Sequence, residues 1–162
     1  MTSLSQIIFE NIDKDDIVLD IGCGIKDKLH FVQCKEKIYL DAWEKVNPDI
    51  LIDLETNDLP FKNNCIDVIL MIDFIEHLGK NRGEEILKQA IKICKKKIIL
   101  LTPLWWSDNI NLVNDPTLWC YGNEYDKHKS LWSVDDFNKL GKWGRVMNAS
   151  DLDNYFLGIL FK

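Results

Sequence analysis

The sequence has little positive charge. Its 20 lysine and arginine residues face 26 aspartate and glutamate residues, which leaves a net charge of −6. Nucleic-acid binding depends largely on neutralising phosphates, so this balance disfavours a nucleic-acid partner. The lysines at 95–97 directly precede an apolar run, as is typical of a solvated helix end before a strand. We therefore expect no nucleic-acid partner.

Paired cysteine motifs are also missing. None of the five cysteines belongs to a C-x-x-C pair, so we expect no metal site. The number is odd and several cysteines have apolar neighbours, which indicates reduced thiols. This cysteine usage predicts a cytoplasmic location.

Long apolar runs are absent as well. No run approaches the roughly 20 residues that span a bilayer, and the N-terminal stretch lacks the basic start and apolar core of a secretory signal. We therefore expect no membrane partner. The chain has 162 residues, 46% hydrophobic and 28% charged, which fits a single domain over 1–162.

Short apolar runs recur along the chain and end in acids, glycine or proline. These runs predict five strands, at 16–21, 37–43, 49–55, 65–73 and 96–103. Apolar residues at helical spacing predict a helix within 84–94. A second helix is predicted at 133–141, where Ser133 is a candidate N-cap and Gly141 a terminator. Two closing strands are predicted at 144–150 and 154–162, as an antiparallel ending.

Alternating strands and helices predict an α/β fold with a doubly wound, parallel sheet. Ligands of such sheets bind beyond the carboxyl ends of the strands. The informative residues are therefore those that follow each strand, and acids follow the first four. The clearest example is the stretch VLDIGCG at 18–24, in which an acid and two glycines end a buried strand.

The glycine pattern favours one class of nucleoside ligand. Gly22 and Gly24 allow a tight turn and close approach of a ligand to the backbone. Asp41 lies at the end of the next strand, where a carboxylate can accept hydrogen bonds from both ribose hydroxyls. A dinucleotide site requires a third glycine, but Asp27 stands there and would repel a pyrophosphate. NAD is therefore disfavoured, and no G-K-[ST] phosphate loop follows.

S-adenosylmethionine fits these residues better, because it carries an adenosine and two positive charges but no phosphate. Asp20 would order the glycine turn and help to hold the ammonium group. Asp53 could accept a hydrogen bond from the adenine amino group, and Leu54 and Ile72 could sandwich the ring.

Five segments in this order resemble the class I S-adenosylmethionine-dependent methyltransferases, specifically their small-molecule type 11 group. The segments, within 17–103, are VLDIGCG, YLDAW, DILIDLETNDLPFKNNCIDVIL, IDFIEHL and IILLTP. The resemblance implies a Rossmann-like, seven-stranded, mostly parallel sheet with an antiparallel last strand. It also implies that the cofactor is surrounded by Asp20, Gly22, Cys23, Gly24, Asp41, Ala42, Asp53, Leu54 and Ile72.

The segment 104–132 is long for a connection inside one domain and rich in aromatic residues. We expect it to form a cap over the strand ends that walls the methyl-acceptor pocket. The alternative is a small satellite core beneath a long loop, and for a single tryptophan that alternative is the more common one.

Transfer to a hydroxyl or ammonium acceptor requires removal of a proton. The candidate bases are His128 and Asp73; His77 is a weaker choice, since its EH pair resembles a structural helix start.

The sequence thus predicts a methyltransferase that acts on an O or N atom of a small-molecule or sugar-like acceptor, as a monomer or homodimer. The alternative is a catalytically silent S-adenosylmethionine-binding module that acts as a partner or regulator.

Overall fold

Seven strands form one sheet in the computed structural model, which describes residues 3–145 and 154–162. The strands are β1 Ile17–Ile21, β2 Glu36–Asp41, β3 Ile50–Leu51, β4 Ile66–Ile72, β5 Cys94–Pro103, β6 Trp143–Arg145 and β7 Tyr155–Phe161. Their order is β3-β2-β1-β4-β5-β7-β6, and β7 pairs antiparallel with both β5 and β6. The predicted seven-stranded, mostly parallel sheet with an antiparallel last strand is therefore confirmed.

Four α-helices accompany the sheet within 3–145 and 154–162. They are α1 Leu4–Glu10, α2 Lys80–Ile93, α3 Ile110–Val113 and α4 Val134–Leu140. The apolar face of α2 packs with one side of the sheet, and α1 contributes Ile7 and Ile8 to the core on the other side. In the described part of the chain, no helix combines the length and apolar character needed to cross a bilayer.

The central strand β4 shows how the sheet divides the core. Its side chains alternate between the two faces because successive residues of a strand point in opposite directions. Ile69 and Met71 belong to the cluster with α2, whereas Val68 and Leu70 belong to the cluster with α1. All seven residues of β4 are buried, which explains why its sequence reads as one continuous apolar run.

Several boundaries differ from those predicted. The third strand is only two residues long, and the helix predicted within 84–94 begins earlier, at Lys80. The connection from β1 to β2 forms turns and no helix, because Gly22, Gly24 and Lys26 all have positive φ angles. Of the strand predicted at 144–150, the first two residues lie in β6 and the rest lie outside the described residues.

An aromatic stack joins α4 to the sheet. The Phe137 ring stacks on Trp132 with centroids 5.2 Å apart and on Phe156 with centroids 4.1 Å apart. The Lys80 ammonium lies 3.8 Å from the Trp132 ring centroid, and the Trp132 indole donates to Ser130 Oγ at 2.9 Å. This stack anchors the C-terminal end of the aromatic segment in the core.

The start of α4 provides a test of local stability. Ser133 Oγ accepts a hydrogen bond from the Asp136 amide, and the Ser133 amide donates to Asp136 Oδ2 at 2.9 Å. Because Ser133→Ala removes one half of this capping box, we expect the free energy of unfolding to fall by about 1 kcal/mol. Urea denaturation would measure the change. Lys142→Ala, exposed just beyond the helix, is the matched control, and equal stability of the two variants would contradict the prediction.

Candidate functional site

A cavity of about 520 Å³ opens at the carboxyl ends of the parallel strands. Residues that directly follow β1, β2, β3 and β4 line one part of it. These residues include Gly22, Gly24, Ala42, Asp53, Leu54 and Asp73. The segment 104–132 supplies much of the remaining wall. The structure thus brings the ends of four strands to one hollow, as expected for a parallel sheet.

The turn after β1 depends on glycine. Gly22 has a φ angle of +71°, and a Cβ atom placed there would lie 2.6 Å from Cδ2 of Phe74. The amides of Gly22 and Cys23 both donate to the Leu40 carbonyl, at 2.9 and 3.1 Å. These bonds hold the turn against the end of β2, where its backbone borders the cavity.

Asp41 connects the glycine turn to the end of β2. Its Oδ2 atom accepts from the Gly24 amide at 3.0 Å, and its Oδ1 atom accepts from the Trp43 amide at 2.9 Å. The side chain is half-buried and lines the cavity. Each carboxylate oxygen has a further lone pair, so Asp41 can still accept from a ligand hydroxyl.

Asp20 and Cys23 are buried and do not line the cavity. Neither carboxylate oxygen of Asp20 has a hydrogen-bond partner among the described residues. Burial raises the pKa of Asp20 to about 7; Lys28 opposes this rise, while Asp27 and Asp41 add to it. Burial likewise raises the pKa of Cys23 to about 12, so this thiol stays protonated. Any effect of these two side chains on a ligand would pass through the turn.

Apolar residues form a second part of the wall. Leu54 and Ile72 both line the cavity and are almost fully buried within the protein. Asp53, next to Leu54, accepts from the Glu55 amide at 2.8 Å through Oδ1. The cavity therefore places an acid beside two apolar side chains, an arrangement that suits a heteroaromatic ring with a polar edge.

A third part of the wall holds two acids and two histidines: Asp73, Glu76, His77 and His128. Asp73 has a positive φ angle of 47°, an uncommon conformation for a non-glycine residue that often marks functional sites. Burial raises the pKa of Asp73, and it lowers the pKa of His128. This lowered pKa favours the uncharged form of the His128 imidazole.

Glu76 and His77 occupy a 3₁₀ turn, Ile75–His77, that follows β4. Burial, reinforced by Asp73, raises the pKa of Glu76 to about 8, and burial together with His128 lowers the pKa of His77 to about 4. Glu76 is not among the site residues predicted from the sequence, and His77 is there only a weaker candidate for the base. Their position four and five residues beyond the end of β4 was the available signal.

Backbone hydrogen bonds join this turn to the segment that carries His128. The amides of Lys129 and Ser130 both donate to the Glu76 carbonyl, at 2.8 and 3.1 Å. His128 Nε2 lies 2.9 Å from Asn109 Nδ2. Because an amide nitrogen only donates, this His128 atom is the acceptor.

The aromatic residues of 104–132 do not share one environment. Trp105, Trp119 and Tyr125 line the cavity, whereas Trp132 lies in the core. Lys28 is a further wall residue and adds a positive charge to a lining with more acids than bases. Of the six aromatic residues in 104–132, three line the cavity, Trp132 belongs to the main core, and Trp106 and Tyr121 are exposed outside the cavity.

No family model matches the sequence. An uncharacterized protein of Methanocaldococcus jannaschii is 26% identical over 119 residues, which cover 62% of this chain and 51% of that protein. The chain therefore spans about half the length of the curated relative that it matches.

Solved structures share the fold at low sequence identity. A SAM-dependent methyltransferase from Archaeoglobus fulgidus is 17% identical with a TM-score of 0.63, covering 94% of this chain and 89% of its own. A chain of the complex between the Haloferax volcanii Trm112 methyltransferase activator and a methyltransferase is 11% identical with a TM-score of 0.65, covering 98% and 87%. The small RNA methyltransferase HEN1 is 14% identical with a TM-score of 0.61, covering 98% of this chain and 24% of its own. The fold is thus that of the class I S-adenosylmethionine-dependent methyltransferases.

Proposed function

We propose that the chain binds S-adenosylmethionine in the strand-end cavity and transfers its methyl group to an O or N atom of a small-molecule or sugar-like acceptor. The observation that carries this proposal is the convergence of Asp41, Asp53 and Asp73 on one hollow beside the glycine turn. Carboxylates at this edge favour a positively charged ligand without phosphates. The small-molecule type 11 group remains our proposal for the acceptor class.

The residues present fit the cofactor. Asp41 is free to accept from ribose hydroxyls through its remaining lone pairs, while it keeps the Gly24 and Trp43 amides in place. Gly22 and Gly24 both line the cavity and carry no side chain, so a ligand can approach their backbone closely. Asp20, with two unpartnered buried oxygens, is suited to hold a nearby ammonium group through the turn or a water molecule.

The adenine site and the acceptor site would lie at different parts of the wall. Leu54 and Ile72 provide apolar surfaces for the adenine ring, and Asp53 provides an acceptor for its amino group. Ala42 borders the same region, and Cys23 supports the turn from the core. Trp105, Trp119 and Tyr125 offer ring faces against which an aromatic or sugar-like acceptor could stack.

When bound, S-adenosylmethionine supplies an electrophilic methyl group on a sulfonium cation. The residues of this chain hold the acceptor in line and remove its proton. Asp73 and His128 are the candidate bases. Both line the cavity, but the accepting nitrogen of His128 already takes a hydrogen bond from Asn109. Asp73 is therefore the better-placed base.

Further properties follow from the same proposal. We place the protein in the cytoplasm, as a single domain over 1–162 that works as a monomer or homodimer, with 104–132 as a cap. Neither a membrane nor a nucleic acid is a proposed partner. One structural neighbour is a small RNA methyltransferase, so a short RNA belongs in the acceptor screen as a comparison. Another neighbour comes from a complex with an activator protein, so the screen should be repeated with an activator present.

Calorimetry on the full chain tests the cofactor. We expect S-adenosylmethionine and S-adenosylhomocysteine each to bind at one site with a micromolar dissociation constant. NAD should not bind, because the carboxylates that line the cavity outnumber its lysines and would repel a pyrophosphate; Asp27, expected from the sequence to do this, does not line the cavity. Absence of saturable heat with both adenosyl compounds would overturn the proposal, as would NAD binding of equal affinity.

A silent binding module is the alternative function. It would bind the cofactor equally well but release no S-adenosylhomocysteine with any acceptor. A product-release assay over hydroxyl and amine acceptors separates the two, with Asp73→Asn as the variant expected to lose turnover by a much larger factor than it loses cofactor affinity.

A further inference from the structure

Glu76, His77 and His128 form a compact cluster at the cavity wall. One candidate ligand atom from each residue lies within 4.8 Å of the other two. The two imidazole rings are 4.8 Å apart between centroids and nearly perpendicular, with an interplanar angle of 75°. Two imidazoles and one carboxylate, from two stretches of the chain about 50 residues apart, thus lie close together.

The hydrogen bonds of this cluster are incomplete. Glu76 is only 2% exposed, yet its Oε1 atom has no hydrogen-bond partner among the described residues, and neither does the buried Nδ1 atom of His77. Buried polar atoms in folded proteins are almost always paired, so two unpaired atoms in one place indicate a missing partner. A cation that accepts electron pairs would satisfy both atoms together.

Neighbouring residues already orient the candidate ligands. Thr102 Oγ1 donates to Glu76 Oε2 at 2.9 Å, which leaves Oε1 as the free carboxylate oxygen. The Asn109 amide donates to His128 Nε2, so this nitrogen carries a lone pair that a metal could take instead. Thr102 is thus a partner of the kind that fixes ligand orientation at most protein metal sites, whereas Asn109 holds the nitrogen that the metal would take.

We propose that Glu76, His77 and His128 bind a divalent transition metal, with zinc as the best match to this donor set. Two histidines and one carboxylate are a known zinc set that leaves coordination positions open. Zinc bonds of about 2 Å would bring the ligand atoms to roughly 3.3 Å apart, so small side-chain shifts would close the site. The lack of C-x-x-C pairs led to the expectation of no metal site, and this proposal departs from that expectation.

The open coordination positions of the metal suggest that it binds the methyl acceptor. This role of the metal rests on the proposed function. The cluster and Asp73 line the same cavity, so a hydroxyl oxygen of the acceptor could complete the coordination. Coordination lowers the pKa of a bound hydroxyl, and the Asp73 carboxylate could take the released proton. The acceptor class would then be hydroxyl compounds, and His128 would be a metal ligand rather than a base.

Metal titration of the full chain, stripped with a chelator and without any adenosyl compound, tests the site. We expect calorimetry to show one Zn²⁺ bound per chain. Co²⁺ bound at the same site should give a visible absorption band typical of a coordination site with low symmetry. Glu76→Gln and His128→Ala should each weaken binding by about tenfold or more. The third histidine, His30, is exposed in the β1–β2 connection, so His30→Ala is the matched control and should bind normally.

The outcomes separate this inference from the proposed function. No saturable binding by the stripped protein, or equal binding by Glu76→Gln, His128→Ala and the control, would overturn the metal site. Circular dichroism checks that the variants fold, and Glu76→Gln can keep the Thr102 hydrogen bond if His128→Ala proves unstable. Cofactor binding without metal binding would sink this inference alone, whereas metal binding without cofactor binding would sink the proposed function alone.

Discussion

Asp41→Ala should weaken S-adenosylmethionine binding by about 100-fold, equivalent to ~2.7 kcal/mol. The substitution removes the carboxylate that would accept from the ribose. It also leaves the Gly24 and Trp43 amides without their acceptor, so the glycine turn loses its link to β2. A hydrogen bond to a charged group contributes about 1.5–3 kcal/mol, and the ribose contact and the turn are lost together. Calorimetry with S-adenosylhomocysteine gives the same comparison without turnover.

Asp49→Ala is the matched control. Asp49 also follows β2 and also accepts from a backbone amide, that of Tyr39, at 2.8 Å, but it does not line the cavity. We expect its cofactor affinity to stay within about twofold of the parent protein. Equal losses of cofactor affinity in both variants would mean that Asp41 acts only on local structure. Unchanged affinity in both variants would mean that Asp41 does not belong to the cofactor site.

Asp20→Asn should stabilise the protein at high pH, an unusual result for a change in the core. The folded pKa of Asp20 is about 7, above the ordinary 3.8, because burial disfavours the charged form. In the parent protein this acid therefore becomes destabilising as the pH rises from about 4 towards 7 and beyond. One pKa unit corresponds to about 1.4 kcal/mol, so the advantage of the variant should grow by about 4 kcal/mol between pH 4 and pH 8.

Urea denaturation at several pH values measures this difference directly. A constant cost of burying the asparagine amide would shift the whole curve and leave its slope with pH unchanged. Asp67→Asn is the control of opposite sign: burial of Asp67 is outweighed by hydrogen bonds from the Ile17 amide and Lys95, which lower its pKa. Its variant should be less stable, with little change from pH 5 to pH 8. A flat difference for Asp20→Asn would contradict the raised pKa.

The sheet could be predicted from the sequence because its strands are buried on both faces. The apolar run of β4 and the acid–glycine end of β1 are local signals that require no knowledge of the rest of the fold. Placing Asp41 and Asp53 at one edge followed from the rule that parallel strands end together. This rule alone was enough to predict that both residues lie at the cavity wall.

Other features depend on contacts between distant residues. Trp132 stacks on Phe137 in the core although it belongs to the same aromatic run as Trp119, and no local pattern distinguishes the two. The site role of Glu76 and His77 depends on His128, some 50 positions away along the chain. The connection after β1 contains left-handed backbone at Lys26, a residue type that seldom adopts it, so its turns could not be predicted from the sequence.

The backbone bonds from Lys129 and Ser130 to the Glu76 carbonyl have a thermodynamic consequence. They bring two remote stretches of chain into register during folding, so the loss of conformational freedom is incurred before any ligand arrives. A molecule that enters this part of the cavity then meets a pre-organised wall. Its affinity is reduced less by ordering of the protein than it would be at a loop that closes on binding.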